Sequence, residues 1–182
     1  MKRSNEAGFS IIDVMIAVTI LLVGVLALVA ATARAIVNTT ISQETLIAKQ
    51  FAASTIEGIF SARDLDSLGW NAVGNVGSSE IPGGTFVTGE QNIWPTAGAD
   101  GIVGTSDDSS GPDGIAGNYD DGTPAEGYRR RITISNVPDP MRPSATPSLR
   151  RIDVTILYSV GGKQFEETFT TFVANYRADD TQ

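Results

Sequence analysis

Lys2-Arg3-Ser4-Asn5-Glu6-Ala7-Gly8-Phe9-Ser10-Ile11-Ile12-Asp13 leads into residues 14–31, a run with no charge and one hydroxyl, Thr19. From Phe9 to Ala33 the stretch counts 25 residues. A helix rises about 1.5 Å per residue, so roughly 20 apolar residues cross the bilayer core. The segment is long enough. Lys2 and Arg3 ahead of it set the N-terminus on the cytoplasmic side and the rest of the chain outside. Asp13 lies within the apolar stretch, where a charge is costly and is usually functional. A cleavable secretory signal is the plainer reading, with Ala30-Ala31-Thr32-Ala33 imitating its cleavage region. Such a signal has little use for an acid at Asp13.

The helical pattern continues beyond the apolar run. From Arg34 to about Ser61 there are few breakers, and Ile36, Ile41, Ile47, Phe51 and Phe60 recur at loosely helical spacing between polar residues. Gly58 weakens the last turn. A helix over residues 9–61 would measure on the order of 80 Å. Its second half, 34–61, is expected to lay one face on a sheet, with Leu46, Ile47, Ala48, Phe51, Ala52 and Ile56 in core or inter-subunit packing. Strand patterns appear late. Residues 128–135 and 151–160 are β candidates, the second with near-strict alternation. Gly161-Gly162 predicts a two-residue hairpin turn, and residues 163–173 return as the partner strand. A Pro-rich connection separates the first two strands. The fold class is α+β: a long N-terminal helix packed on a C-terminal antiparallel sheet over 129–177, followed by a tail at 178–182.

A short basic leader, Gly8-Phe9, and an acid five positions after the glycine resemble the class III signal of the type IV pilin family. The late sheet resembles, less specifically, that of PilV-type minor pilins and of type II secretion pseudopilins. The signal motif covers residues 8–30, and the general layout covers most of the chain. The resemblance implies that a prepilin peptidase cuts between Gly8 and Phe9, removing residues 1–8, and that Phe9 is N-methylated. Residues 9–33 then anchor the subunit in the inner membrane and later pack in a filament core. It also implies that Asp13 pairs with the new amine of Phe9, in its own subunit or a neighbour. The family's usual acid is glutamate, and aspartate is one methylene shorter. The partners implied are the peptidase, other pilin or pseudopilin subunits, membrane lipid and an inner-membrane assembly platform. The destination is an extracellular pilus or a periplasmic pseudopilus.

Residues 62–128 differ in character. From 64 to 128 they carry 14 of the 19 glycines, eleven acids, and neither lysine nor arginine. Short strands are expected near 85–87 and 93–94. So long an excursion should be functional or tied down locally. It contains a repeat: Asp100-Gly101-Ile102-Val103-Gly104-Thr105-Ser106-Asp107-Asp108 is echoed by Asp113-Gly114-Ile115-Ala116-Gly117-Asn118-Tyr119-Asp120-Asp121, an offset of 13. Calcium, which takes six to eight oxygens, gives the repeat a reason. Asp100 and Asp113 would open each unit, and Asp107, Asp108, Asp120 and Asp121 would close the shell. The glycines would let carbonyls turn inward. The spacing does not match an EF-hand. A solvated loop of turn-forming residues, or a binding surface without metal, accounts for the same composition.

Net charge is −8; the leader carries Lys2, Arg3 and Glu6, so its removal leaves −9. That balance makes direct nucleic-acid binding a poor fit. With neither cysteine nor histidine, thiol chemistry, histidine catalysis and most zinc sites are excluded. No catalytic constellation is legible, and the expectation is a chain that is not an enzyme. Arg129-Arg130-Arg131 and Arg150-Arg151 read as solvated or edge-blocking charges, or as partners for the acidic loop. The functional expectation is a structural, minor subunit of a type IV pilus. The rivals are a type II secretion pseudopilin and a membrane-tethered, calcium-dependent binding or adhesion module.

Overall fold

The computed structural model describes residues 10–65, 67–141 and 147–175. Its elements are a helix α1 (Ile11–Asp64), a strand β1 (Gln91–Asn92), and three long strands, β2 (Tyr128–Val137), β3 (Leu149–Val160) and β4 (Lys163–Ala174). Single 3-10 turns lie at Trp70–Ala72 and Asp108–Ser110. The chain forms two compact units, residues 1–42 and 43–182. The fold is α+β, as the sequence pattern predicts.

The first unit holds the apolar half of α1. Ser10 caps it, its hydroxyl accepting the Ile12 N–H at 3.3 Å. Asp13 sits in the first turn, where the helix dipole favours an acid. Every residue from Ser10 to Asn38 is exposed, among them Ile20, Leu21 and Leu28, each more than 60% exposed. The Thr19 and Thr32 hydroxyls donate back to the carbonyls of Met15 and Val29. Such internal bonds are what a segment in lipid requires. Among the described residues α1 is the one helix long and apolar enough to cross a membrane.

The second unit is built on the rest of α1. Its buried residues are Ala48, Ala52, Thr55, Ile59 and Ala62, a stripe with alternating spacings of four and three. Three of the five are alanines, so the buried stripe is narrow. Phe51 and Ile56 flank the stripe half-buried, whereas Leu46 and Ile47 are exposed. The helix ends at Asp64, three residues past the expected point. Gly58 does not break it. A Cβ at Gly58 would come within 3.0 Å of Val103, so glycine here makes room for the loop.

The sheet has the order β1-β2-β3-β4 and is antiparallel throughout. Tyr128 stands opposite Tyr158, and Val154 opposite Phe169. Gly161 and Gly162 have φ of 58° and 79°, the double left-handed conformation of the tight hairpin turn. The inward positions Ile132, Ile134, Ile152, Val154, Ile156 and Tyr158 make the sheet's core face. At one end an aromatic row joins helix and sheet. Phe51 meets Tyr128 edge-on at 5.2 Å, and Tyr158 stacks on Phe165 at 5.6 Å. Tyr128 donates to Glu44, and the Thr45 and Tyr158 hydroxyls lie 2.8 Å apart. Burial and the Glu44 carboxylate push the Tyr128 hydroxyl well above the usual tyrosine range.

The long glycine-rich region is tied down by apolar plugs. Val73, Ile81, Phe86, Ile93 and Ile102 all enter the core, and Phe86 is fully buried. Each such side chain contributes on the order of 1.5–3 kcal/mol. Strand β1 pairs with only Arg129 and Arg130 of β2. Beyond it the buried amide of Asn75 takes over, donating to Ile132 O at 2.8 Å and accepting the Ile134 N–H at 2.7 Å. One side chain thus satisfies the β2 edge as a strand would. The expected strand near 85–87 is an isolated bridge between Asn75 and Phe86, and in place of one near 93–94 the strand lies at Gln91–Asn92.

Candidate functional site

Two places carry functional candidates: the start of the chain and the acidic repeat. Gly8 and Phe9 lie outside the described residues. Asp13 is exposed on the first turn of α1.

The sequence repeat is also a structural repeat. Asp100 and Asp113 each accept, at 2.8 Å, the N–H two residues ahead, from Ile102 and Ile115. Gly101 and Gly114 donate to Gly98 O and Gly111 O at 3.0 and 3.2 Å. Gly104 and Gly117 share a φ of 92°. Each sends its N–H to the last aspartate of its copy: Gly104 to Asp108 Oδ2 at 2.8 Å and Gly117 to Asp121 Oδ2 at 2.5 Å. The first aspartate of each copy makes the opening turn, and the last one ties the copy shut. Gly98 and Gly111 extend the match by two positions, an identity present in the sequence at the same offset of 13.

The copies differ in surroundings. The first is built into the core. Ile102 is buried, and a Cβ at Gly104 would strike Ile132 Cδ1 at 2.4 Å. Arg130 of β2 reaches Asp108 Oδ2 at 2.8 Å, with side chains only 3% and 9% exposed. Burial pushes the Asp108 carboxyl up, against the Gly104 N–H and the Arg130 charge that hold it down. Burial likewise lowers the Arg130 guanidinium, and Asp108 opposes that shift. Asp107 differs. Burial would raise it, but the Thr105 hydroxyl at 2.7 Å and the Asp100 N–H at 3.1 Å outweigh that and leave it below the usual carboxylate range. In the second copy Ile115 is exposed, and so is Tyr119.

Among the described residues no three acidic side chains converge to hold a metal ion. The structure places Asp100 and Asp113 at the openings of their copies and the pairs Asp107-Asp108 and Asp120-Asp121 at the ends.

The basic clusters divide residue by residue. Arg129 and Arg151 are exposed. Arg131 lies 3.3 Å from Glu166 at the surface. Arg130 and Arg150 are buried. Arg150 stacks over the Trp70 ring at 4.1 Å and donates to the carbonyls of Trp70 and Val73. It thereby pins the 3-10 turn, and desolvation lowers its pKa. The alternation of β2 and β3 was the signal for both: inward positions 130 and 150 share the pleat of Ile132 and Ile152.

Comparison with protein-family models, curated proteins and solved structures returns no significant match. The long apolar N-terminal helix with its packing on an antiparallel sheet is consistent with pilin-like architecture.

Proposed function

We propose that this chain is a filament subunit of the type IV pilin class, acting as a minor pilin. The observation that carries the reading is the divided character of α1. Residues 10–38 expose apolar side chains all around, while residues 48–62 bury a small-residue stripe against a sheet. A helix apolar on every side needs lipid or other helices around it. The Gly8-Phe9 junction and Asp13 support the same reading from the sequence. A prepilin peptidase would release the leader, and the anchor would wait in the inner membrane with its start cytoplasmic. Asp13 would then pair with the Phe9 amine as helices gather, assisted by an assembly platform. The chain's chemistry is packing and recognition, without turnover.

A secretion pseudopilin uses the same processing and the same helix. The tethered calcium-dependent module has its own support in the ordered acidic repeat. The test is the mature N-terminus, read by mass spectrometry on native membranes and sheared filaments. A methylated Phe9 in the sheared fraction is expected. A start at or beyond Ala30 refutes the proposal. A methylated Phe9 confined to membranes favours the tether.

A further inference from the structure

The two copies of the repeat share a backbone but not a charge balance. In the first, both terminal aspartates are answered from within the protein: Asp107 by Thr105 and the Asp100 N–H, Asp108 by Arg130 and the Gly104 N–H. In the second, Asn118 stands where the first copy has Thr105. Its amide donates to Asp113 Oδ2 at 2.8 Å, and its oxygen accepts the Asp120 N–H at 3.1 Å, so it offers Asp120 Oδ1 no proton. Among the described residues no cation pairs with Asp120 or Asp121.

Two carboxylate oxygens are left over. Asp120 Oδ1 and Asp121 Oδ1 are both shut off from solvent and have no hydrogen-bond partner. Asp121 is only 6% exposed. Leaving such oxygens buried and unpaired is costly. Gly111 packs closely against this end of the copy. A Cβ on Gly111 would sit 3.0 Å from Asp121 Oδ1 and 3.1 Å from the Asp120 carbonyl oxygen. At the equivalent Gly98 the packing is tighter, and Asp107 Oδ2 and its carbonyl oxygen would lie 2.4 and 2.5 Å from a Cβ.

We infer that the second copy, and not the first, binds one hard divalent cation of the calcium class, with Asp120 and Asp121 as its carboxylate ligands. The Asp120 carbonyl lies alongside, and water completes the shell. In the first copy Arg130 supplies internally the charge that the second takes from solution. Oxygen-only ligation by carboxylate, carbonyl and water suits calcium. Two carboxylates without a third put the affinity in the range of extracellular modules, Kd about 10⁻⁴–10⁻³ M. The inference does not depend on whether the chain polymerises.

The experiment is equilibrium dialysis of the chelator-stripped full chain in detergent against radioactive calcium. One equivalent per chain is expected. Asp121→Asn should weaken binding by about tenfold or more, since a charged ligand is removed. Asp100→Asn, in the closed copy, should leave it unchanged. If Asp121→Asn fails to fold, the half-buried Asp120→Asn provides the same test. No bound calcium, two equivalents, or an equal loss with Asp100→Asn overturns the inference.

Discussion

Replacing Arg130 by methionine removes the guanidinium but keeps most of the apolar stem. The pair it belongs to is nearly solvent-free, 3% and 9% exposed, with an N–O distance of 2.8 Å. Arg130 also donates to Thr55 at 3.3 Å. Removing one partner strands a buried carboxylate, which costs about 3–5 kcal/mol. The Gly104 N–H that Asp108 keeps accepting puts the expectation near the lower end of that range. With a urea slope of about 2 kcal/mol/M, a loss of about 3 kcal/mol moves the midpoint down by about 1.5 M. The assay is urea unfolding of the full chain in detergent followed by tryptophan fluorescence. Trp70 and Trp94 are the two tryptophans, and both lie in the second unit. Asp108→Asn keeps an acceptor for Gly104 without a charge. Combined with Arg130→Met, it should recover at least half of the single variant's loss. The pH dependence has a definite sign. Burial raises the folded Asp108 carboxyl above the usual 3.8, so the folded state holds its proton more tightly than the unfolded one. Its contribution therefore falls as pH rises through that raised value. Without Arg130 the effect grows, and Arg130→Met should regain stability on acidification relative to wild type. A single-variant cost below about 1 kcal/mol, or a double variant whose cost is the plain sum of the two singles, would refute the buried-pair argument.

Gly104→Ala and Gly117→Ala place the same substitution at the same φ of 92°. The first also meets Ile132 at 2.4 Å, whereas the second meets nothing within 4 Å. Thermal unfolding should show about 1–2 kcal/mol lost at Gly117 and clearly more at Gly104; equal losses would contradict the core placement of the first copy. Asp107 sits below 3.8, so its stabilisation is present above 3.8 and lost as pH falls through the lowered value. Asp107→Asn should flatten the acid limb of a stability–pH curve, and an unchanged limb would count against the Thr105 and Asp100 bonds. Asp13→Ala should leave leader removal intact and reduce the subunit's share of sheared filaments several-fold by immunoblot. Undiminished incorporation would remove Asp13 from assembly.

The helix and the three long strands were legible because they obey two simple periods. The buried stripe 48–52–55–59–62 and the β3 alternation from Arg150 to Tyr158 are local patterns. The hairpin was legible from Gly161-Gly162 alone. What the sequence concealed were long-range partners. Asn75 looks like any loop asparagine, yet it satisfies β2 some 57 to 59 positions away. Gly58 reads as a helix weakener until Val103 is placed against it. The repeat was visible as six identities, and its purpose divides once surroundings are known. Asp108 and Asp121 are the same letter in the same register, but only one has an arginine 22 residues ahead that folds back onto it. Side-chain alternation hinted at Arg130 facing inward, while its tight cluster with Arg129 and Arg131 suggested solvent.

The closure of each copy by its own backbone and carboxylates has an evolutionary consequence. Its defining bonds, from Gly98 O to Asp108 and from Gly111 O to Asp121, begin and end within the copy. A further unit of 13 residues inserted after Asp121 would bring its own closures and leave the sheet's register alone. Length variation among homologous chains should therefore come in steps of 13 in this region. The copy held by Arg130 should resist substitution at its core positions, whereas the outer one should be free to diverge at exposed positions such as Ile115 and Tyr119.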